Sequence, residues 1–244
     1  MADWNDPQST RTQFGSGPVL NGQVLGADAR DQGLRRYMLS IYNYMASGVL
    51  LSGIVALLFV VSGLAAQVFN TPLRWVIALA PLAFIFFFSP RRDEGTLKLM
   101  FWSFCAVMGL SLSAILLVYT GPSIATTFFA TAGAFAGLSL YGYTTKRNLS
   151  AMGSFLMMGL IGIILASLLN LFLQSGPLQI AISILGVLIF AGLTAWDTQR
   201  LRDTYYQVAG TDMAGKVVIL GALSLYLDFV NMFQFLLSFL GDRR

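Results

Sequence analysis

Residues 217–241 read VVILGALSLYLDFVNMFQFLLSFLG, and Asp228 is the only charged residue among them. A mostly apolar run of this length can cross the hydrocarbon core of a bilayer as an α-helix. An ionised group near the centre of such a helix costs roughly 2.5–3.5 kcal/mol on insertion scales. An acid in this position is rarely kept without a function or a partner, so Asp228 is the first candidate functional residue.

The whole chain has the composition of a polytopic membrane protein. Of its 244 residues, 56% are hydrophobic and 11% are charged, whereas a soluble domain carries about a quarter charged residues. The sequence contains no histidine, the commonest general base and transition-metal ligand. Its one cysteine, Cys105, lies in an apolar segment and can form no intramolecular disulfide. The composition implies a lipid bilayer as partner and gives no sign of nucleic-acid binding or of a resident cofactor.

The hydrophobic segments predict an all-α fold with seven transmembrane helices. The second segment is the shortest and contains Pro81, so we expect a kink there. The predicted spans are 42–66, 73–89, 97–119, 124–142, 152–173, 178–199 and 216–240.

Two further features predict the layout of the domains and helices. Residues 1–36 are polar and rich in turn-forming pairs, so we expect a flexible N-terminal tail ahead of a transmembrane domain over residues 37–244. Pro72, Pro122 and Pro177 recur in short turns, which favours three helical hairpins followed by an unpaired seventh helix. A simpler explanation of the prolines is that proline favours short turns in general.

The basic residues predict a cytoplasmic N-terminus. With that orientation the opposite side holds only Arg74 over the same spans, which is a strong positive-inside bias. Arg243 and Arg244 do not follow the bias if the chain crosses seven times, and a re-entrant last segment would return them to the cytoplasm. The twelve cytoplasmic Lys and Arg residues are Arg11, Arg30, Arg35, Arg36, Arg91, Arg92, Lys98, Lys146, Arg147, Arg200, Arg202 and Lys216.

Asp228 belongs to a polar stripe on the last predicted helix. The stripe follows steps of three and four residues, which place its members on one helix face. In lipid such a face must turn toward other helices or toward water. We therefore expect it to line a cavity, the alternative being that it only hydrogen-bonds neighbouring helices. Its members are Ser224, Asp228, Asn231, Gln234 and Ser238.

The natural partner of Asp228 is Asp197, near the cytoplasmic end of the sixth predicted helix. Two antiparallel helices joined by a turn near Thr211 would carry both acids at similar depths. Two carboxyl groups in contact are not easily ionised together, so the pair would titrate as a unit. The same oxygens could hold a hard cation such as Ca²⁺ or bridge to an arginine. Alternatively, Asp197 is an ordinary interfacial carboxylate beside Arg200.

Two stretches of this sequence resemble the signatures of a known family. Residues 191–199 read AGLTAWDTQ and residues 224–233 read SLYLDFVNMF. Both runs resemble the Bax inhibitor-1 family in its bacterial YccA-like branch, and the resemblance covers about residues 37–240. It implies three helical hairpins around a central last helix, in the bacterial cytoplasmic membrane.

The resemblance also implies a function. Asp197 and Asp228 match a pH-sensitive aspartate pair that closes a cytoplasmic-side pore and is linked to calcium leak. Arg91, with Arg92 as the alternative, matches an arginine that latches this pair. One departure concerns the second helix, where some calcium-conducting members carry a glutamate and this chain has only apolar residues around 80–84.

Three functional hypotheses follow from these residues. The first is a pH-gated cation leak pathway, with Ca²⁺ as the expected ion. The second is a non-conducting regulatory protein that modulates a partner such as a membrane-bound protease. The third, an intramembrane aspartyl protease, needs two opposed carboxylates, but the chain has no Gly-x-Gly-Asp element. We therefore expect no enzymatic activity. The sequence does not determine the oligomeric state.

Overall fold

The computed structural model describes residues 19–20, 23–24, 27–89 and 91–244, and almost all of their regular structure is helical. Two short strands, β1 (Val19–Leu20) and β2 (Gln23–Val24), pair as an antiparallel hairpin. The predicted all-α class is confirmed. The helices are α1 (Ala27–Val61), α2 (Leu64–Phe69), α3 (Leu73–Ile85), α4 (Glu94–Val118), α5 (Gly121–Thr144), α6 (Ser150–Leu173), α7 (Gly176–Val208) and α8 (Met213–Leu240).

The first helix, α1, starts ahead of the predicted domain boundary at residue 37. The predicted tail, residues 1–36, falls largely outside the described residues, but α1 already begins at Ala27. Leu34, Tyr37, Met38 and Ile41 are buried and occupy positions i, i+3, i+4 and i+7, which is the pattern of one packed helix face. The packed bundle therefore begins before residue 37, because the apolar face of α1 starts ahead of the first predicted span, residues 42–66.

Six helices in the described part of the chain are long and apolar enough to cross a membrane: α1, α4, α5, α6, α7 and α8. The second predicted span, residues 73–89, is helical only as α3, which has 13 residues. Thirteen residues give a helix of about 20 Å, shorter than the roughly 30 Å hydrocarbon core. This crossing therefore needs the non-helical residues after Ile85 as well.

Proline in α3 is accommodated by a neighbouring helix. Pro81 has no N–H, so the Ile77 carbonyl four residues earlier loses its usual helical donor. The Ser111 hydroxyl of α4 donates to this carbonyl. The helix continues past Pro81 to Ile85, with Pro81 itself buried. The kink expected at Pro81 stays a prediction, but the cost of the missing hydrogen bond is offset by α4.

The two ends of the bundle are defined by contacts between chain segments that are distant in sequence. At one end, here called the α1 end, the ring of Tyr37 in α1 lies 5.3 Å from that of Tyr205 in α7. Glu94 at the start of α4 lies at the same end, directly beside Gly215 at the start of α8.

At the opposite end, residues 241–244 run along the turn between α4 and α5. The Thr120 N–H donates to the Asp242 carbonyl at 3.1 Å, and the Arg244 N–H donates to the Val118 carbonyl at 2.9 Å. Since α1 and α4 both start at the α1 end, residues 73–93 must return the chain between them. The described part of the chain therefore crosses seven times, and residues 241–244 lie opposite the start of α1.

The last helix occupies the centre of the bundle, as predicted. It packs against α1, α4, α5 and α7. The predicted hairpins need a correction, because α1 packs chiefly against α4 and not against α3. Glycine explains this choice: a Cβ atom at Gly109 of α4 would lie only 2.7 Å from the Ser52 carbonyl of α1. Small residues allow such close approach between helix backbones in membranes. The fully buried residues of α8 include Ile219, Ala222, Leu225 and Tyr226.

A buried hydrogen-bond cluster joins the three helices α1, α4 and α8. The Ser52 hydroxyl lies 2.7 Å from the Cys105 carbonyl, which it bonds, and 2.6 Å from the Tyr226 hydroxyl. When the single hydroxyl hydrogen of Ser52 is directed to the Cys105 carbonyl, the Tyr226 hydroxyl is the donor in the second bond. The Tyr226 ring also packs edge-on against Phe101 and Phe104.

We predict that Tyr226→Phe lowers the free energy of unfolding by about 1 kcal/mol, because it removes one buried hydrogen bond and keeps the ring packing. Reversible unfolding in mixed micelles would measure the loss. A double-mutant cycle with Ser52→Ala should show a coupling of about 0.5–1 kcal/mol. Strictly additive effects of the two substitutions would contradict the proposed bond.

The seven crossings predict that residues 146 and 244 lie on opposite faces of the membrane. Lys146 and Arg244 are both exposed, whereas Cys105 is fully buried and can remain in place as an unreactive thiol. With a cytoplasmic N-terminus, a membrane-impermeant maleimide should label Arg244→Cys in intact spheroplasts and Lys146→Cys only after permeabilisation. Labelling of both from the same face would require a re-entrant last segment.

Candidate functional site

The structure brings Asp197 and Asp228 into one cavity in the middle of the bundle. Asp197 lies on α7 and Asp228 on α8, and these two helices form the most extensive helix–helix contact of the described chain. Their side chains are almost completely buried, with 7% and 5% of their surface exposed. The charges of the two carboxyl groups are close enough to interact. The cavity has a volume of about 650 Å³, and α3, α4, α6, α7 and α8 all contribute to its lining.

Arg200, one turn after Asp197 on α7, is the cation of this site. Its Nη2 atom lies 2.9 Å from Asp197 Oδ1 and 3.5 Å from the Ser224 hydroxyl. Its guanidinium also lies over the Trp196 ring, 4.7 Å from the ring centroid. Asp197 Oδ1 has no hydrogen-bond partner among the described residues. The contact with Arg200 is therefore an ion pair whose geometry is not that of a hydrogen bond.

The carboxylate of Asp228 has fewer compensating contacts for its negative charge than that of Asp197. Its Oδ2 atom is buried and has no hydrogen-bond partner in the described part of the chain. Most buried polar atoms in proteins are hydrogen-bonded, so an unpaired carboxylate oxygen at this depth calls for an explanation. The charged residues that line the cavity are Asp197, Arg200 and Asp228. With all three ionised the site carries one net negative charge, which one proton or one monovalent cation would neutralise.

The residues after Asp197 fix the position of α7. The Thr198 hydroxyl lies 3.0 Å from that of Ser139 on α5. The side chain of Gln199 accepts a hydrogen bond from the Leu149 N–H and donates one to the Arg147 carbonyl, both at 2.8 Å. Sequence reasoning missed both roles, although Thr198 and Gln199 directly follow Asp197. These bonds hold this part of α7 against α5 and the turn between α5 and α6, so that Asp197 faces α8.

The predicted polar stripe of α8 serves two purposes. Ser224, Asp228 and Asn231 line the cavity, whereas Gln234 is half-buried and is not part of the lining. Ser238 lies outside the cavity and bonds two α7 side chains, Gln179 at 3.2 Å and Ser183 at 3.0 Å. The stripe therefore lines the cavity at its first three positions and joins helices at its last.

The arginines predicted as a latch lie elsewhere in this structure. Arg91 and Arg92 are exposed in the turn before α4, which Asp93 caps by accepting a hydrogen bond from the Thr96 N–H at 2.8 Å. Hydrogen bonds from Thr96 hold the pKa of the Asp93 carboxyl below its usual value. In the described residues the ion pair with Asp197 is made by Arg200. The sequence feature that indicates this ion pair is the position of Arg200 three residues after Asp197 on one helix.

The cavity offers few ligands for a tightly bound metal ion. The described residues contain no cluster of three or more His, Cys, Asp or Glu side chains. Ca²⁺ takes six to eight oxygen ligands, and the polar lining supplies two carboxylates with Ser224 and Asn231 nearby. Arg200 already pairs with one of these carboxylates. The arrangement suits a proton or a weakly held cation better than a chelated Ca²⁺ ion.

Comparisons with known proteins place the chain in a family. Residues 34–244 match the family described as "Inhibitor of apoptosis-promoting Bax1". The chain is 48% identical over 219 residues to the uncharacterized protein RP147 of Rickettsia prowazekii, covering 88% of this chain and 92% of that protein. It is 44% identical over 219 residues to the inner membrane protein YbhL of Escherichia coli K12, covering 87% and 94%. The chain belongs to the Bax inhibitor-1 family and is a multi-pass membrane protein.

We predict that Arg200→Gln destabilises the protein by roughly 1–3 kcal/mol at pH 8, between the values for exposed and buried ion pairs, because Arg200 is partly exposed. The loss should shrink toward pH 5, where protonation removes the uncompensated negative charge. Thermal unfolding in detergent across this pH range would measure it. Lys98→Gln, which breaks the exposed pair with Glu94, is the matched control. An equal loss at both pH values would contradict a role in compensating the acids.

Proposed function

We propose that the chain is a pH-sensitive cation leak pathway whose gate is the Asp197–Asp228 pair. The observation that supports this most is the meeting of two buried carboxyl groups and one arginine at the interface of α7 and α8. Such a site changes its net charge when it gains or loses a proton, and charge is costly at this depth. The proposal is non-enzymatic: the pair senses protons and transfers no chemical group.

The gate would act through the packing of α8 on α7. The rings of Phe190 in α7 and Phe235 in α8 lie farther from the α1 end than the two acids do. They stack with their centroids 5.9 Å apart. Gly186 makes room for this contact, since a Cβ atom there would lie 2.5 Å from the Phe235 ring. We propose that these rings close the path. A change in the charge of the acid pair would shift α8 relative to α7 and separate the rings.

The distribution of basic residues supports a cytoplasmic α1 end. The turns at this end carry most of the Lys and Arg residues of the described chain, and the opposite end carries Arg74, Arg243 and Arg244. The relative YbhL is an inner membrane protein. We propose the bacterial cytoplasmic membrane as the location, with the N-terminus inside.

The conducted ion is the least constrained part of the proposal. The family resemblance favours Ca²⁺. The α3 wall of the cavity, formed by Pro81, Leu82 and Ile85, adds no acid to the lining. A selective calcium site needs more oxygen ligands than two carboxylates provide. We therefore propose a cation leak in which Ca²⁺ passes without tight binding.

Flux through purified protein in liposomes tests the proposal. Wild type loaded with a calcium dye should show flux that changes between pH 6 and pH 8, and Asp228→Asn should lose that pH dependence. Asp203→Asn is the matched control, because Asp203 is an exposed acid on the same helix as Asp197 and pairs with Arg202. Replacing Ca²⁺ by K⁺ in the same assay would report selectivity.

The outcomes separate the two functional hypotheses. Equal flux in wild type and Asp228→Asn would exclude the gate, and absence of flux in both would favour the regulatory protein that modulates a partner such as a membrane-bound protease. In the same assay, Arg91→Gln and Arg92→Gln compared with Arg200→Gln would identify the latch. A pH profile altered only by Arg200→Gln would assign that role to Arg200.

A further inference from the structure

The cavity has a polar inner wall and an apolar outer wall. Asp197, Arg200, Ser224, Asp228 and Asn231 form the inner wall, on α7 and α8. The outer wall comes from α3 and α6, two helices that make no extensive contact with each other in the described part of the chain. The residues of the outer wall include Leu82, Met157, Leu160, Ile164 and Leu168.

One mouth of the cavity opens sideways, between α3 and α6. Leu82, Ile164 and Leu168 line the cavity and are also exposed at the protein surface. Asp228 lies 15 residues from Met213 and 12 from Leu240, which places it about 22 Å and 18 Å from the two ends of α8. The mouth therefore faces the hydrocarbon region, where a hydrated inorganic ion does not dissolve. A solute that enters here must itself partition into the bilayer.

We propose that this cavity binds amphipathic organic monocations, such as alkylammonium ions, that enter from the bilayer. The ammonium group would lie at Asp228 and the alkyl chain along α3 and α6. One positive charge neutralises the cavity while Arg200 remains paired with Asp197. The volume of about 650 Å³ lies within the range of sites for drug-sized ligands. The proposal uses the same acids as the proposed gate but does not require conduction.

The unpaired oxygen of Asp228 predicts which cations bind best. An ammonium group with N–H donors can form a charge-assisted hydrogen bond to Oδ2, and a quaternary ammonium cannot. The face of Trp196 that would attract a quaternary cation is already covered by Arg200. A primary amine should therefore bind more tightly than its trimethylated analogue, and an alcohol of the same chain length should not compete.

Binding of dodecylammonium to the protein in nanodiscs, measured by equilibrium dialysis against empty nanodiscs of the same lipid, tests this inference. Wild type should bind one ion saturably, and Asp228→Asn should bind at least tenfold more weakly. Ile164→Trp, which fills the mouth, should also weaken binding. Ile161→Trp is its matched control, because Ile161 is similarly exposed on α6 (59% against 51%) but does not line the cavity.

Two results would overturn the inference: no saturable binding above empty nanodiscs, or equal binding by Ile164→Trp and Ile161→Trp. The second comparison remains informative if Asp228→Asn fails to fold. Calcium flux measured on the same proteins separates this inference from the proposed function. Asp228-dependent flux without amine binding would leave the leak pathway standing alone, and amine binding without flux would leave only the binding site.

Discussion

The carboxyl group of Asp228 lies near the middle of a helix that is otherwise apolar, and the rest of the architecture accommodates it. A charge at this depth cannot face lipid, so α8 must lie inside the bundle with other helices around it. The structure meets this requirement by packing α8 against α1, α4, α5 and α7. Arg200 then reaches the same cavity from α7 and offsets one of the two acids.

With the exception of the Tyr37 hydroxyl, hydrogen bonding sets this site apart from the other buried polar groups described in the bundle. The Ser52–Tyr226 and Ser183–Ser238 contacts pair their hydroxyl groups between helices. In contrast, Asp197 Oδ1 and Asp228 Oδ2 have no hydrogen-bond partner among the described residues. Groups that served only to hold helices together would be paired like the others. Asp197 Oδ1 still has an ion pair with Arg200, but Asp228 Oδ2 has neither a hydrogen bond nor a salt bridge among the described residues. This unpaired oxygen is the reason to regard the acid pair as a site for a proton or a cation.

Hydrophobicity predicted the spans closely, because apolar length along the chain decides whether a helix can cross a bilayer. Hydrophobicity did not predict the helix boundaries and helix pairs that depend on contacts between helices. The start of α1 at Ala27 depends on packing of Leu34 and Tyr37, and α3 is shorter than its apolar segment. The pairing of α1 with α4 depends on the close approach of Gly109 to Ser52, which no hydrophobic pattern reports.

The sequence by itself determined the class of the protein, its seven hydrophobic segments and the two acids that lipid could not solvate. These are properties of composition and of spacing along one helix. Only the tertiary structure decided that Asp197 and Arg200 share a cavity with Asp228, that Gln234 leaves the cavity lining, and that the cavity opens between α3 and α6. These features depend on which helix faces meet, and that is decided by side-chain packing between segments far apart in the chain.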